Sequence, residues 1–288
     1  MSGFAGLRVL ALESRRAAEL SKLISTYGGL PTVAPAMKEV PLESNSEALA
    51  FAARLFAGEF DMVIFLTGVG ARTLLGVVET TYRRDEYVAA LQRIKVVARG
   101  PKPVAALREI GVTPALSVPE PNTWRELLQG LDEAAQSAVG IRLQGSRVAV
   151  QEYGVSNPEL LEGLEKRGAR VTRVPVYQWA LPDDLAPLRA AIQSLAEGKI
   201  DVVFFTTSVQ AVHLFEVAAA MNLEKEMRAG LERAMVASIG PTTSEELARQ
   251  RIRVDLEPSH PKMGFLVKEA AEQAAELIRR KPEDSASA

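Results

Sequence analysis

The segments 61-DMVIFLTGVGARTLL-75 and 201-DVVFFTTSVQAVHLF-215 are two versions of one pattern, in which an aspartate precedes an apolar run, a short turn and a helix-like stretch. The two aspartates are 140 residues apart, and the same offset relates 96-VVARGPKPVAAL-107 to 236-VASIGPTTSEEL-247. Similarity at one fixed offset is the mark of an internal repeat. The chain is therefore a duplication.

Each copy also contains an earlier strand-like run, 8-RVLALE-13 in one and 147-RVAVQE-152 in the other, and these align with one residue of slippage. In both copies, short apolar or β-branched runs alternate with amphipathic, helix-like stretches. Continuous apolar strands separated by helices are typical of a parallel sheet that is covered on both faces. The sequence predicts an α/β protein with two similar doubly wound parallel-sheet domains.

Two stretches at matching places in the copies interrupt this alternation, 33-VAPAMKEVPLE-43 and 174-VPVYQWALPDD-184. Each has prolines on either side of an extended core, which favours a strand-like connector over a helix. We expect these connectors to form the hinge between the domains. The repeat alone would divide the chain differently, near residue 140.

The composition excludes several classes of protein. The 288 residues carry a net charge of −2 with both signs interspersed, which predicts no nucleic-acid partner and no membrane-binding patch. Cysteine is absent, which rules out thiol catalysis, thiolate metal sites and disulfides. Because the sequence shows neither a signal peptide nor a long apolar run, we expect a soluble, cytoplasmic protein.

Candidate ligand-binding residues follow the apolar runs, since open parallel sheets bind ligands beyond the carboxyl ends of their strands. Hydroxyl, glycine and basic residues occur there in 67-TGVG-70, at Arg99 and Lys102, in 206-TTSV-209 and in 240-GPTT-243. A turn into a helix exposes N–H groups at the positive end of the helix dipole, which suits a carboxylate or phosphate. Arg99 directly follows an apolar run, and we interpret it as an anion contact.

The same turns also have a simpler interpretation as helix caps. Thr242 with Glu245, or Thr243 with Glu246, has the spacing of a capping box, and capping is compatible with ligand binding. The segment 68-GVGART-73 is a weak match to a dinucleotide fingerprint, because Thr73 stands in the place of the third glycine.

The remaining chemistry-bearing residues are few. His213 and His260 lack metal-ligand spacing, and we expect His213 on the exposed side of a helix. Tyr177 lies in the second connector, where it either packs against Trp179 or, if the connector lines a cleft, donates a proton or a hydrogen bond. The sequence predicts chemistry that requires little from side chains and no metal.

Taken in their order along the chain, the strands, turns and connectors resemble those of the uroporphyrinogen-III synthases, which cyclise hydroxymethylbilane in tetrapyrrole biosynthesis. The resemblance covers nearly the whole chain and rests on 201-DVVFFTTSVQAV-212, 238-SIGPTTSEEL-247, Val176-Tyr177 and the proline-flanked connectors. It implies a cyclising hydro-lyase that needs no cofactor. The implied partner is a linear tetrapyrrole polycarboxylate, and a monomer is expected.

The resemblance also implies a domain arrangement. Residues 1–36 with 178–288 would form one flavodoxin-like domain, and residues 37–177 would form the other. A two-stranded β connector would join them.

By the same resemblance, Tyr177 matches the tyrosine suspected of assisting departure of the substrate hydroxyl. Thr207 and Ser208 match the Thr-Ser at a strand end of the family, and Thr242 with Thr243 match its Gly-Pro-Thr-Thr turn. The predicted substrate-binding residues are Thr67, Gly68, Gly70, Arg99, Lys102, Tyr153, Thr207, Ser208, Gly240, Thr242 and Thr243.

The chain departs from the family pattern in its middle part, where Thr67-Gly68 replaces the usual Thr-Ser and Pro103 stands where the second copy has Thr243. Arg99 and Lys102 would compensate as anion contacts. Two other functions remain open: a non-catalytic module of the same fold that binds a tetrapyrrole or another polyanion, and a nucleotide-dependent oxidoreductase, which rests on 68-GVGA-71 alone.

Overall fold

The computed structural model describes residues 3–41, 45–137, 140–152, 154 and 156–285. Its strands are β1 Arg8–Ala11, β2 Leu30–Val33, β3 Lys38–Pro41, β4 Met62–Phe65, β5 Lys95–Ala98, β6 Leu116–Ser117, β7 Arg147–Gln151, β8 Arg170–Val174, β9 Tyr177–Ala180, β10 Val202–Phe205 and β11 Met235–Ser238. Its helices are α1 Ala17–Thr26, α2 Ser46–Phe56, α3 Gly68–Val78, α4 Arg84–Gln92, α5 Pro101–Arg108, α6 Trp124–Ala135, α7 Pro158–Lys166, α8 Ala186–Ala196, α9 Ser208–Ala220, α10 Glu224–Arg233, α11 Pro241–Arg249 and α12 Met263–Ser285.

Contacts divide the chain into two compact units. The first unit comprises Met1–Lys38 and Ala180–Ala288, and the second comprises Glu39–Trp179. Strands β3 and β9 pair as a separate two-stranded sheet where the chain passes from one unit to the other. The domain boundaries predicted after residues 36 and 177 remain a prediction. In the part of the chain that the structure describes, no helix is long and apolar enough to cross a bilayer.

Both large sheets are parallel, so the predicted α/β class with parallel sheets is confirmed. The strand order is β11-β10-β1-β2 in the first unit and β6-β5-β4-β7-β8 in the second. The central pairs have equivalent registers, with Val9 opposite Val202 and Val148 opposite Met62. Each sheet therefore combines the early strands of one copy with the late strands of the other.

Helices cover both faces of each sheet, which explains why the central strands are apolar without alternation. In the first unit one face packs around Leu188, Leu214 and Leu231, and the other around Leu20, Leu266 and Ala270. In the second unit the two faces pack around Phe51, Leu74 and Tyr87, and around Leu127, Leu131 and Leu160. Each large apolar side chain buried in this way contributes about 2 kcal/mol to the free energy of folding.

An aspartate–arginine pair links the amino ends of the two central strands in each unit. In the first unit, Asp201 accepts from the backbone N–H of Arg8 at 2.7 Å and from its guanidinium at 2.9 and 2.7 Å. Arg147 holds Asp61 in the same way in the second unit, with its backbone N–H 2.8 Å from the carboxylate. These carboxylates lie at the opposite end of the strands from the turns that lead into α3 and α9, and their role is to fix strand register.

The Asp201→Asn variant tests this anchor. The guanidinium of Arg8 holds the pKa of the Asp201 carboxyl below its ordinary value, mainly through the side-chain hydrogen bonds. A carboxyl whose pKa is lowered in the folded state contributes stability above its unfolded pKa of about 4, and this stability is lost as the pH falls through the folded pKa. We expect Asp201→Asn to lower the free energy of unfolding by about 1 kcal/mol at neutral pH.

The difference between Asp201→Asn and the wild type should shrink below about pH 4, as measured by urea unfolding over a pH series. Asp183→Asn is the matched control, because Asp183 pairs with Lys38 while 89% exposed. An equal loss in both variants, or a loss in Asp201→Asn that persists in acid, would contradict the anchoring role.

Tyr87→Phe should stabilise the second unit. The Tyr87 side chain is 1% exposed, its hydroxyl has no hydrogen-bond partner among the described residues, and burial raises its pKa. An unsatisfied buried hydroxyl retains its desolvation cost, so removing it should raise the free energy of unfolding by about 1 kcal/mol. Thermal denaturation measures the change, with the half-buried Tyr82→Phe as the control. A destabilised Tyr87→Phe protein would show that the hydroxyl is satisfied in solution.

Candidate functional site

Four helices begin directly after the carboxyl ends of parallel strands: α9 and α11 after β10 and β11 in the first unit, and α3 and α5 after β4 and β5 in the second. The first N–H groups of a helix have no partner within it, and the helix dipole makes this end attractive to anions. The predicted residues lie at these turns as two groups, which are Thr207, Ser208, Gly240, Thr242 and Thr243 in the first unit, and Thr67, Gly68, Gly70, Arg99, Lys102 and Tyr177 in the second. Tyr153 lies outside the described residues.

In the second unit Thr67 is the N-cap of α3. Its hydroxyl accepts a hydrogen bond from the backbone N–H of Gly70 at 2.9 Å. The same hydroxyl lies 3.4 Å from the phenol oxygen of Tyr177. The Tyr177 ring, only 7% exposed, packs edge-to-face against Trp179 with the ring centres 5.5 Å apart. Tyr177 therefore both packs against Trp179, as one interpretation expected, and places its hydroxyl at the start of a helix.

In the first unit Thr207 is the N-cap of α9, but its side chain makes no capping hydrogen bond. The buried side chain of Gln210 holds this turn instead, by accepting from the backbone N–H of Thr206 at 2.7 Å. The hydroxyl of Thr207 is thus not committed to the helix. The half-buried Ser208 follows it as the first residue of α9.

The Gly-Pro-Thr-Thr turn begins α11 earlier than the capping-box prediction required. Gly240 is the N-cap and Pro241 the first helical residue, so Thr242 and Thr243 lie inside the first turn and the prediction that either caps the helix is wrong. The physical reason is Pro241, whose fixed φ and missing N–H suit the first helical position. The fully buried Ser238 steadies the turn, since its hydroxyl donates to the Gly240 carbonyl at 3.0 Å.

The two predicted glycines of the second unit are required by packing. A Cβ on Gly68 would lie 2.5 Å from the carbonyl oxygen of Lys102, and one on Gly70 would lie 2.0 Å from the amide nitrogen of Gln151. Protein groups therefore occupy the space that these glycines leave, which accounts for 68-GVGA-71 without a dinucleotide.

Two basic side chains stand at the start of α5. Arg99 is half-buried, and its backbone N–H donates to the Phe65 carbonyl at 3.0 Å, which extends the pairing of β5 with β4. Lys102 is exposed in the first turn of α5. Arg99 directly precedes the N-cap Gly100 and Lys102 lies in the first turn, so both residues belong to a helix end that attracts anions.

The prediction of a surface position for His213 is wrong. Its side chain is 7% exposed, and its Nδ1 lies 2.7 Å from the carbonyl oxygen of Ala36. Helix α9 is buried around most of its circumference, so a polar residue on it must find a partner inside. Among the described residues, no group of three or more His, Cys, Asp or Glu side chains could hold a metal ion.

The family model described as "Uroporphyrinogen-III synthase HemD" matches residues 18–268. The chain belongs to the uroporphyrinogen-III synthase family. The uncharacterized protein YjjA of Bacillus subtilis is 33% identical over 271 residues, which are 93% of this chain and 96% of YjjA.

Two crystal structures of uroporphyrinogen III synthase from the extremely thermophilic bacterium Thermus thermophilus resemble the chain in fold. A mutant form has a TM-score of 0.71 at 23% identity and covers 94% of this chain and 99% of its own. The wild type has a TM-score of 0.54 at 25% identity and covers 94% and 98%. This family membership makes a tetrapyrrole the class of ligand to consider for the turns described above.

Thr67→Ala and Thr207→Ala form a matched pair of variants in this family member, because the residues occupy equivalent N-cap positions. Thr67→Ala removes a capping hydrogen bond and should lower the free energy of unfolding by about 1 kcal/mol. Thr207→Ala removes none and should change it by less than about 0.5 kcal/mol. Urea unfolding measures both, and equal losses would contradict the difference in capping.

Proposed function

We propose that this chain is a uroporphyrinogen-III synthase, which cyclises hydroxymethylbilane with inversion of the last pyrrole ring. The observation that carries the proposal is that helix-start turns bear hydroxyls in both units. They are Thr207, Ser208, Thr242 and Thr243 in the first unit and Thr67 in the second, where the Thr67 hydroxyl lies 3.4 Å from the phenol oxygen of the buried Tyr177. Membership of the family supports the same activity. The enzyme would be a cyclising hydro-lyase without a cofactor, monomeric and cytoplasmic.

The finer structural assignment is part of this proposal. We infer that the first and second units are flavodoxin-like domains, with boundaries after residues 36 and 177. The strand order β2-β1-β10-β11 of the first unit supports this assignment, because numbered within the unit it is the 2-1-3-4 order of flavodoxin-like sheets.

The substrate is a flexible chain of four pyrroles with acetate and propionate groups. Backbone N–H groups and hydroxyls at helix starts would hold these carboxylates through charge-assisted hydrogen bonds, each contributing about 1.5–3 kcal/mol. In the first unit Thr207, Ser208, Thr242 and Thr243 would serve in this way. In the second unit Arg99 and Lys102 would take over part of this role, since the Thr67 hydroxyl is engaged in capping.

The reaction begins when the terminal hydroxyl of the substrate leaves as water, which produces an azafulvene. Its electrophilic carbon is attacked by the substituted carbon of the last ring, and a spiro intermediate forms. The bond from that ring carbon to its original bridging carbon then breaks, which leaves a second azafulvene on the neighbouring ring. The free α-carbon of the last ring attacks this bridging carbon, so that the ring is inverted and the macrocycle closes, and loss of the proton from that α-carbon restores the pyrrole.

In this scheme the protein mainly sets the geometry of the reacting carbons, because a held pair of reactants avoids most of the entropic cost of meeting. The phenol of Tyr177 would donate a hydrogen bond to the leaving hydroxyl and supply its proton as water departs. Its position beside the N-terminus of α3 favours such a donor role, since the positive end of a helix dipole stabilises the phenolate that remains.

A coupled assay tests the activity. Hydroxymethylbilane synthase converts porphobilinogen to the linear tetrapyrrole, this protein is added, and the oxidised porphyrin isomers are separated by chromatography. The proposal predicts isomer III above the isomer I that forms spontaneously. Isomer I alone, from a protein that is folded by circular dichroism, would contradict the synthase and favour a binding module for tetrapyrroles or other polyanions.

Tyr177→Phe should lower kcat by about 10²-fold and leave isomer III as the product. The loss follows from removal of the proton donor, while the geometry that selects the isomer is retained. Tyr27→Phe, at the C-cap of α1, is the control and should have the kcat of the wild type. A wild-type kcat in Tyr177→Phe would show that the phenol is not needed.

A further inference from the structure

The side chain of Gln210 is completely buried, and both its amide oxygen and its amide nitrogen make hydrogen bonds. Its Oε1 accepts from the backbone N–H of Thr206 at 2.7 Å, and its Nε2 donates to the Thr206 hydroxyl at 2.9 Å and to the Leu12 carbonyl at 3.2 Å. The Thr206 hydroxyl in turn donates to Glu13 at 2.6 Å. One amide thus ties α9, the turn before it and the end of β1 together.

The position of Gln210 bears on the hydrogen bonding of Thr207, the N-cap residue of α9. Gln210 is the third residue of α9, and a glutamine at this position commonly reaches back to the N-cap backbone. Here it reaches one residue further, to Thr206, so the turn is held from inside the unit. The hydroxyl of the N-cap Thr207 makes no capping bond, and the helix start therefore does not occupy it.

In the second unit a glutamine from a different element contacts the turn one residue later, at Thr67, which is the counterpart of Thr207. Gln151, at the end of β7, is also completely buried, and its Oε1 lies 3.4 Å from the backbone nitrogen of Thr67. Its Nε2 donates to the Glu152 carbonyl and lies where a Cβ on Gly70 would be.

The alignment of the two copies shows how these glutamines are related. Gly70 occupies the position of Gln210 at the offset of 140, and Gln151 occupies the position of Leu12 at the offset of the first strands. The amide therefore comes from the helix in one unit and from the strand in the other. Where the strand supplies it, the helix has glycine and leaves room.

We propose that Gln210 is a positioning residue for substrate carboxylate binding by Thr207 and Ser208, and that Gln151 has the equivalent role at the turn that bears Thr67. The inference rests on the proposed function, since the carboxylates are those of the tetrapyrrole. A turn that loses its anchor shifts the hydroxyls, and displacements of about 1 Å cost up to 10²-fold in effectiveness. Because a carboxylate contact exists both before and during the reaction, its loss raises KM more than it lowers kcat.

The test uses Gln210→Met, which keeps the size of the side chain and removes its hydrogen bonds. We expect its KM for hydroxymethylbilane to rise about 10-fold while kcat falls less than about 3-fold. Ile192→Val, another fully buried position of the first unit, is the control for general loss of stability and should keep the wild-type KM.

A rescue variant transfers the arrangement of the second unit to the first. The double change Leu12→Gln with Gln210→Gly supplies the amide from the strand and leaves room for it on the helix. The KM of the double variant should lie within about 3-fold of the wild-type KM, whereas the KM of Gln210→Gly alone should stay raised. A merely structural role for Gln210 would leave KM unchanged and predicts no such rescue.

Binding of uroporphyrin, an octacarboxylate, to each variant gives a second readout that does not depend on turnover. If the wild type makes no isomer III, the synthase proposal fails, while a Kd about 10-fold weaker in Gln210→Met still supports the positioning role. Unchanged KM and Kd in a folded Gln210→Met protein, or no uroporphyrin binding by the wild type, would overturn the inference.

Should Gln210→Met fail to fold, Thr206→Val removes the hydroxyl that Gln210 and Glu13 hold, and an unchanged Kd there would overturn the inference equally.

Discussion

Parallel pairing of a strand from one copy with a strand from the other is the constraint on which both units depend. In the first unit β1 lies beside β10, and in the second β7 lies beside β4, with the same register in both. The Arg8–Asp201 and Arg147–Asp61 pairs hold the amino ends of these strands together. Because the strands start in register, their carboxyl ends finish in register, and the turns that follow lie at one edge of each sheet.

The two units hold the turn after the central strand with glutamines from different elements, although they derive from one repeat. The backbone N–H groups of the turn after the strand need hydrogen-bond partners, and a glutamine amide oxygen lies within reach of one of them in each unit, at Thr206 in the first and at Thr67 in the second. In the second unit the Thr67 hydroxyl also caps its helix, while in the first the Thr207 hydroxyl does not. The departure from the family pattern at Thr67-Gly68 therefore coincides with a turn whose hydroxyl is used internally.

Much of this arrangement is encoded in patterns that can be found in the sequence. Apolar runs such as 62–65 and 202–205 predict buried parallel strands, and the fixed offset between them predicts that the units are alike. The positions of the helix-start turns follow from the same runs, and the prolines predict the extended connectors.

Other features depend on contacts between residues far apart in the chain. A capping box at Thr242 or Thr243 fits the local spacing, yet Pro241 sets the helix start two or three residues earlier. His213 has no sequence signal for its bond to Ala36, because burial on α9 depends on the whole unit. Gln210 could have been found by comparing the copies, since glycine opposite glutamine at one position and glutamine opposite leucine at another is a compensating exchange.

The way the sheets divide the chain also has a consequence for synthesis on the ribosome. Every strand of the second unit's parallel sheet lies between residues 62 and 174, whereas β1 and β2 must wait for β10 and β11 at residues 202–238 before their sheet can form. Domains generally fold as units while the chain emerges. The middle of this chain can therefore complete its sheet first, while β1, one of the strands made earliest, lacks its neighbour β10 until the last third has been translated.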